Sequence, residues 1–170
     1  VAAAHAAALD EIRHAQVAFE LASAYAGTPL APARFEDAAR MTATGDLAAL
    51  AIETFIDGCI NETVAAVEAD RAGDGAADPV IAVALHEIAD DEARHAELAW
   101  AIVAWCVRNG DASLVAELRR ELAIAMTAEP ATNARGDLGV HGVLGDAALA
   151  VVRAEALRDI VTPCLDALAA

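Results

Sequence analysis

Apolar residues recur at every third or fourth position along most of this chain, the spacing that collects them on one face of an α-helix. Groups of glycine and proline interrupt this pattern and end each apolar run. Asp78-Pro79 is a strong start signal, because aspartate caps a helix and proline fits its first position. The pattern predicts three long helices, over residues 1–26, 46–72 and 78–109.

The connections between these helices differ in length. Residues 27–45 form a long crossover, within which Ala33 to Thr42 is predicted to be a short helix. Residues 73–77, by contrast, form a tight hairpin. The predicted fold is therefore all-α, with one long crossover between helical hairpins, which is the connectivity of one class of four-helix bundles.

The C-terminal part of the chain carries two further helix signals. Asp111 is predicted to cap a fourth helix that reaches about Ala128. A glycine-rich loop containing His141 follows. Asp146 is then predicted to cap a fifth helix, which Pro163 kinks near its end because proline cannot donate a backbone hydrogen bond.

Composition agrees with this fold, since 58% of the residues are apolar and only 4% aromatic, as in closely packed helices. At 170 residues the chain is predicted to form a single domain with its own core. A net charge of −16 argues against nucleic acid or an anionic membrane as partner, because both require a positive face. The most apolar stretch, Leu98 to Val107, is too short to span a bilayer, so a soluble protein is expected, cytoplasmic by default.

One short motif occurs twice, because residues 10–15 and 91–96 both read D-E-x-R-H-A. A glutamate and a histidine three positions apart lie one turn apart on the same face of a helix. Each pair interrupts an otherwise apolar stripe, and a carboxylate buried there needs a cation or hydrogen bonds. Carboxylate and imidazole together favour iron, manganese or zinc. The predicted metal ligands in the motifs are Glu11, His14, Glu92 and His95.

The second helix supplies a further predicted ligand, Glu62, whose neighbours at helical spacing are small or apolar. Measured along the helices from the 73–78 hairpin, Glu62 and Glu92 differ in level by about one turn. Glu53 is the reserve candidate, because its face also carries Asp57 and points away from that of Glu62.

Other polar and aromatic residues receive supporting roles. Asp10 and Asp91 are predicted to orient the histidine ligands by accepting a hydrogen bond from the ring N–H. Arg13 and Arg94 either pair with these acids or are solvated. Surface or structural roles are predicted for the remaining histidines, His5, His86 and His141. Packing roles are predicted for the aromatic residues Tyr25, Trp100 and Trp105. The three cysteines, Cys59, Cys106 and Cys164, are predicted to be free thiols.

The doubled motif, Glu62 and the crossover together resemble the ferritin-like di-iron carboxylate superfamily, which includes ferritins, bacterioferritins and rubrerythrins. More narrowly, nearly the whole chain is similar to bacterial ferritin-like-domain proteins without an assigned reaction. The resemblance implies two iron ions, with manganese or zinc as the other fitting metals, and O₂ or peroxide as reaction partners; it leaves a homo-oligomer open. The ligands it implies are Glu11, His14, Glu62, Glu92 and His95.

The resemblance also implies a sixth ligand that is harder to find. In the family the first helix of the bundle brings a glutamate to the site, and this chain is expected to begin at the second helix, as an N-terminally truncated ferritin-like domain. The charge balance also indicates a missing carboxylate. Two divalent ions carry four positive charges, and Glu11, Glu62 and Glu92 offset three of them. A segment upstream of Val1, a water, another protomer or Glu155 could supply the missing ligand.

Three functions are consistent with these residues. The leading hypothesis is a di-iron oxidoreductase of ferroxidase, peroxidase or oxygenase type, with no catalytic residue beyond the metal ligands. The alternatives are a non-catalytic iron storage or handling protein, and a helical interaction module with an incomplete metal site. A rubrerythrin-like electron chain is disfavoured, because the sequence contains no C-x-x-C pair.

Overall fold

The computed structural model describes residues 1–33, 45–128 and 138–168, and within these ranges it contains helices and no strand. The prediction of an all-α protein is therefore confirmed. No helix in the described ranges is long and apolar enough to cross a membrane. The chain divides into two compact units, Val1–Gly45 and Asp46–Ala170.

The first unit contains one long helix, α1 (Ala2–Ala26), which ends where the sequence predicts. Gly27 follows it with a φ of 65°, in the left-handed region that glycine adopts without a steric penalty. The hydroxyl of Ser23 fixes this end by accepting a hydrogen bond from the Leu30 N–H at 2.8 Å. The short helix predicted from Ala33 to Thr42 lies, apart from Ala33, outside the described residues.

The apolar stripe predicted on α1 is not covered within the described part of the first unit. No residue of α1 is fully buried, and Tyr25, which was expected to pack, is 61% exposed. The described part of this unit offers no second helix that could cover the stripe. Helical periodicity shows which residues share a face, but burial also requires a partner surface.

The second unit begins with a long helix that changes its pitch. The segments α2 (Leu47–Thr54), π1 (Phe55–Glu62, a π-helix) and α3 (Thr63–Gly75) follow one another without a break. Asp46 caps α2 by accepting a hydrogen bond from the Ala48 N–H at 3.1 Å. The sequence predicts this helix, but neither its π-helical turns nor its continuation through Gly75.

Helix α4 (Pro79–Asn109) packs against α3 across the hairpin and against π1. Asp78 caps it by accepting a hydrogen bond from the Val80 N–H at 2.8 Å, and Gly110 follows its last residue, so both predicted ends are confirmed. Gly58 of π1 lies so close to α4 that a β-carbon at position 58 would overlap the side chain of Ala99. Small residues thus set the separation of these two helices.

Helix α5 (Leu114–Thr127) has Ser113 at its N-cap and so begins two residues later than a helix capped by Asp111 would. The carboxylate of Asp111 accepts a hydrogen bond from the Ser113 N–H at 2.8 Å, and its carbonyl accepts one from the Leu114 N–H at 3.0 Å. Asp111 therefore closes a turn before the helix instead of capping it directly. The 3₁₀ turn Gly139–His141 contains the histidine of the predicted loop.

The last helical segments that the structure describes are α6 (Asp146–Ala156), the π-helical segment π2 (Leu157–Val161) and α7 (Thr162–Leu168). Gly145 occupies the N-cap of α6, so the prediction that Asp146 is the cap is wrong by one position. The kink expected at Pro163 stays a prediction; the structure shows a π-helical segment, π2, directly before the helix that contains this proline. The hydroxyl of Thr162 donates a hydrogen bond to the Leu157 carbonyl at 2.7 Å within these wide turns.

The core of the second unit lies where π1, α4, α5 and the C-terminal helices meet. Trp100 packs edge-on against the buried ring of Phe55, with the ring centroids 5.8 Å apart. Trp105 is 49% exposed, so the packing prediction fails for it. Trp105 follows Trp100 by five residues on α4, and five residues along a helix turn a side chain by about 140°. The two tryptophans therefore lie on different faces of the helix.

The three cysteines are free, as predicted, with Cys59 and Cys106 buried and Cys164 half-buried. Burial raises the pKa of the Cys59 thiol far above its usual range, and a negative charge on Cys164 would raise it further. Burial also raises the pKa of Cys106. Both buried thiols are therefore poor nucleophiles, since the thiolate is the reactive form.

Candidate metal centre

The second copy of the motif places Glu92 and His95 inside the protein, one turn apart on α4. Each residue is 8% exposed, and His95 Nδ1 lies 3.4 Å from Glu92 Oε2. The same face of α4 continues through Ala99, which is also buried. A carboxylate and an imidazole thus interrupt a buried stripe, as the sequence predicts.

Glu62, the last residue of π1, joins this pair from the neighbouring helix. Single ligand atoms of Glu62, Glu92 and His95 lie within 4.8 Å of one another. Glu62 is half-buried, whereas the reserve candidate Glu53 is exposed on α2. The structure therefore brings together three of the predicted ligands in one unit and favours Glu62 over Glu53.

The first copy of the motif has the same local geometry on α1. His14 Nδ1 lies 3.8 Å from Glu11 Oε1, one helical turn away. The side chain of Glu11 is 56% exposed, against 11% for that of Glu92. The two copies therefore share the spacing of their donors and differ in the exposure of the glutamate.

The aspartates that precede the two glutamates pair with the arginines of the motif. Asp91 is 3% exposed and forms an ion pair with Arg94. Asp10 lies 3.5 Å from Arg13 in the equivalent pair. Of the two roles open to the arginines, pairing is the one observed, and it partly offsets the buried charge beside Glu92. The predicted role of the aspartates in orienting His14 and His95 stays a prediction.

Other residues considered from the sequence lie in different contacts. The carboxylate of Glu155, proposed as a substitute ligand, forms an ion pair with Arg71 at 2.9 Å. His86 lies across the hairpin from two aspartates, with Nε2 3.4 Å from Asp74 and 3.9 Å from Asp70. These distances fit the structural role predicted for His86.

Two carboxylates and an imidazole form a donor set suited to iron, manganese or zinc. Donors bound about 2.1 Å from one ion lie at most about 4.2 Å from each other. The observed limit of 4.8 Å is close to this value, so a small side-chain movement would gather the three donors around one ion. Glu62, Glu92 and His95 thus fit a metal ion both by donor chemistry and by distance.

Comparisons with protein-family models, with curated proteins and with solved structures found no match to this chain. The strongest indication of function is the group formed by Glu62, Glu92 and His95, because it combines burial with convergent donors from two helices.

Proposed function

We propose that this chain is a ferritin-like protein that holds a dinuclear iron centre for redox chemistry with O₂ or peroxide. The observation that carries the proposal is the convergence of Glu62, Glu92 and His95 within 4.8 Å, in a helical unit. Buried acids interrupt apolar helix faces only where a cation or a polar network offsets their desolvation.

The second half of the proposed centre comes from the repeat of the motif. Glu11 and His14 on α1 have the same spacing as Glu92 and His95 on α4. In bundles that hold two metal ions, two Glu-x-x-His pairs and further glutamates surround the metals. We therefore assign Glu11 and His14, together with Glu62, Glu92 and His95, to the set of residues that would hold the two ions.

The residues have distinct roles in this proposal. Glu11 and Glu92 would hold the ions through carboxylate oxygens and offset part of their charge, and His14 and His95 would hold them through a ring nitrogen. Bound iron supplies one-electron redox chemistry toward O₂ or peroxide. The chain contributes burial, since the 8% exposure of Glu92 and His95 limits the access of bulk water to the donors.

The test is an anaerobic titration with Fe(II), followed by counting of the bound metal and then exposure to O₂. We expect about two ions per chain, and a change in the visible spectrum on oxidation. Glu62→Ala is expected to lose one or both ions, because it removes a convergent donor. Glu53→Ala is the matched control, since Glu53 is an exposed glutamate of the same long helix.

Zn(II), which has no redox chemistry, tests metal binding independently of any reaction with O₂ or peroxide. Zn(II) at about 100 times its dissociation constant should stabilise the wild-type chain by about 2.7 kcal/mol. The same addition should leave the unfolding of His95→Ala nearly unchanged. Equal binding by Glu62→Ala and Glu53→Ala, or no tight binding at all, would contradict the proposal. Binding of many iron ions per chain would instead favour the alternative of an iron storage protein.

A further inference from the structure

A cavity of about 410 Å³ lies in the second unit between α3, α4 and the C-terminal helices. Its walls consist largely of small residues, and Trp100 and Ile160 add larger apolar surfaces. A volume of this size is in the range of small-molecule sites in proteins. The small residues of the wall are Ala66, Ala89, Ala93 and Ala96.

This cavity is separate from the candidate metal centre, although both use α4. Ala93 and Ala96 each follow a predicted ligand by one position, and one position turns a helix by about 100°. Glu92 and His95 accordingly do not belong to the cavity lining. A ligand in the cavity would therefore contact a different face of α4, so this inference does not rest on the proposed function.

The charged residues of the cavity are all acidic. Asp70, Asp90 and Glu97 belong to its lining, which includes no arginine or histidine. All three are exposed, which places their charges where a bound molecule would meet water. The net charge of −16 adds to this negative potential.

An apolar interior with an acidic rim fits a molecule that has an apolar body and a cationic end. We propose that the cavity binds a small hydrophobic amine, with its ring or alkyl chain against Trp100 and the alanines and its ammonium group near Asp90 and Glu97. Aromatic rings attract both apolar groups and cations, so Trp100 suits such a ligand. An anionic ligand would be repelled by the three carboxylates.

The test compares three probes that share a phenyl ring and a butyl chain and differ in the terminal group. These are 4-phenylbutylamine, 4-phenylbutanol and 4-phenylbutyrate. Trp105→Phe gives a background in which Trp100 is the remaining one of two tryptophans, so its fluorescence reports on the cavity. We expect saturable binding of the amine, about fivefold weaker binding of the alcohol, and no binding of the acid.

Substitutions at exposed positions test the site without removing core residues. Ala93→Phe fills the cavity and should abolish the binding of the amine and the alcohol. Ala101→Phe is the matched control, because Ala101 is an exposed alanine of α4 outside the cavity lining. Glu97→Gln should weaken only the amine, and Glu87→Gln, outside the lining, should have no effect.

A chemical readout is independent of fluorescence. Cys164 lines the cavity and is half-buried, whereas Cys59 and Cys106 are fully buried. Iodoacetamide should therefore modify Cys164 first, and bound 4-phenylbutylamine should slow that reaction. Equal affinity for amine and acid, binding unchanged in Ala93→Phe, or no protection of Cys164 would each overturn the inference.

Discussion

Gly58 is the residue on which the separation of π1 and α4 most directly depends. A β-carbon at this position would overlap Cβ of Ala99, an atom that cannot rotate away from the contact. The neighbouring case of Gly73 is different, because its β-carbon would meet the imidazole of His86, which is 43% exposed and can move. A methyl group at position 58 can therefore be accommodated only if the two helices move apart.

We expect Gly58→Ala to lower the free energy of unfolding by about 1–3 kcal/mol, the usual cost of overpacking. It should also weaken metal binding, because it moves the helix carrying Glu62 away from Glu92. Urea denaturation and the Fe(II) titration measure the two effects. Gly45→Ala is the control, since nothing lies within 4 Å of its added carbon and a change below about 0.5 kcal/mol is expected. Wild-type stability in Gly58→Ala would contradict this account.

Individual site residues could be predicted because polar groups within an apolar stripe are conspicuous in the sequence. Glu62 was separated from Glu53 by its small and apolar neighbours, and the structure places only Glu62 close to Glu92 and His95. The exposure of Tyr25 could not be predicted in the same way. A stripe shows which residues share a face and does not show what covers that face.

At the scale of elements, the helix ends that depend on local chemistry were predictable. The cap and the proline before α4 act within a few residues, so the sequence is sufficient to place its start. The start of α5 was misplaced because Asp111 has two ways to satisfy nearby N–H groups, a cap or a separate turn. The π-helical turns of π1 were not predicted, because the spacing of apolar residues over so short a segment is interpreted as a regular α-helix.

Asp78, the N-cap of α4, is expected to contribute measurably to the stability of the protein. Asp78→Ala removes the acceptor for the Val80 N–H and should lower the free energy of unfolding by about 1 kcal/mol. Asp78→Asn retains a side-chain acceptor and should cost less than half as much. Thermal and urea unfolding of the three proteins measure the difference. If both variants lose the same amount, charge and not the hydrogen bond is the source of the stability.

For the whole molecule, the notable feature is the unequal distribution of the core. The cluster of buried apolar residues lies entirely within the unit Asp46–Ala170, from Ala51 to Leu165. Helix α1 contributes no fully buried residue. Since burial of apolar surface is the main source of folding free energy, the second unit contains most of the stability.

A chain of residues 46–170 should therefore fold without the first unit. We expect a helical circular dichroism spectrum and a cooperative thermal transition, because the core cluster is retained. Under the proposed function, this shorter chain keeps Glu62, Glu92 and His95 and should bind at most one ion. A non-cooperative transition would show that the first unit contributes to the core, whereas two bound ions would show that Glu11 and His14 are not required for metal binding.

The π-helical turns of π1 affect how this chain can be aligned with others. Bonds between residues five apart accommodate an additional residue within an unbroken helix, and here that segment ends at Glu62. A protein with the same site and a regular α-helix would need an alignment gap inside the helix, although gaps normally fall in loops. The position of Glu62 relative to α4 thus depends on the number of residues before it as well as on their identity. A one-residue deletion between Phe55 and Glu62 would rotate the carboxylate away from its partners while leaving every ligand in the sequence.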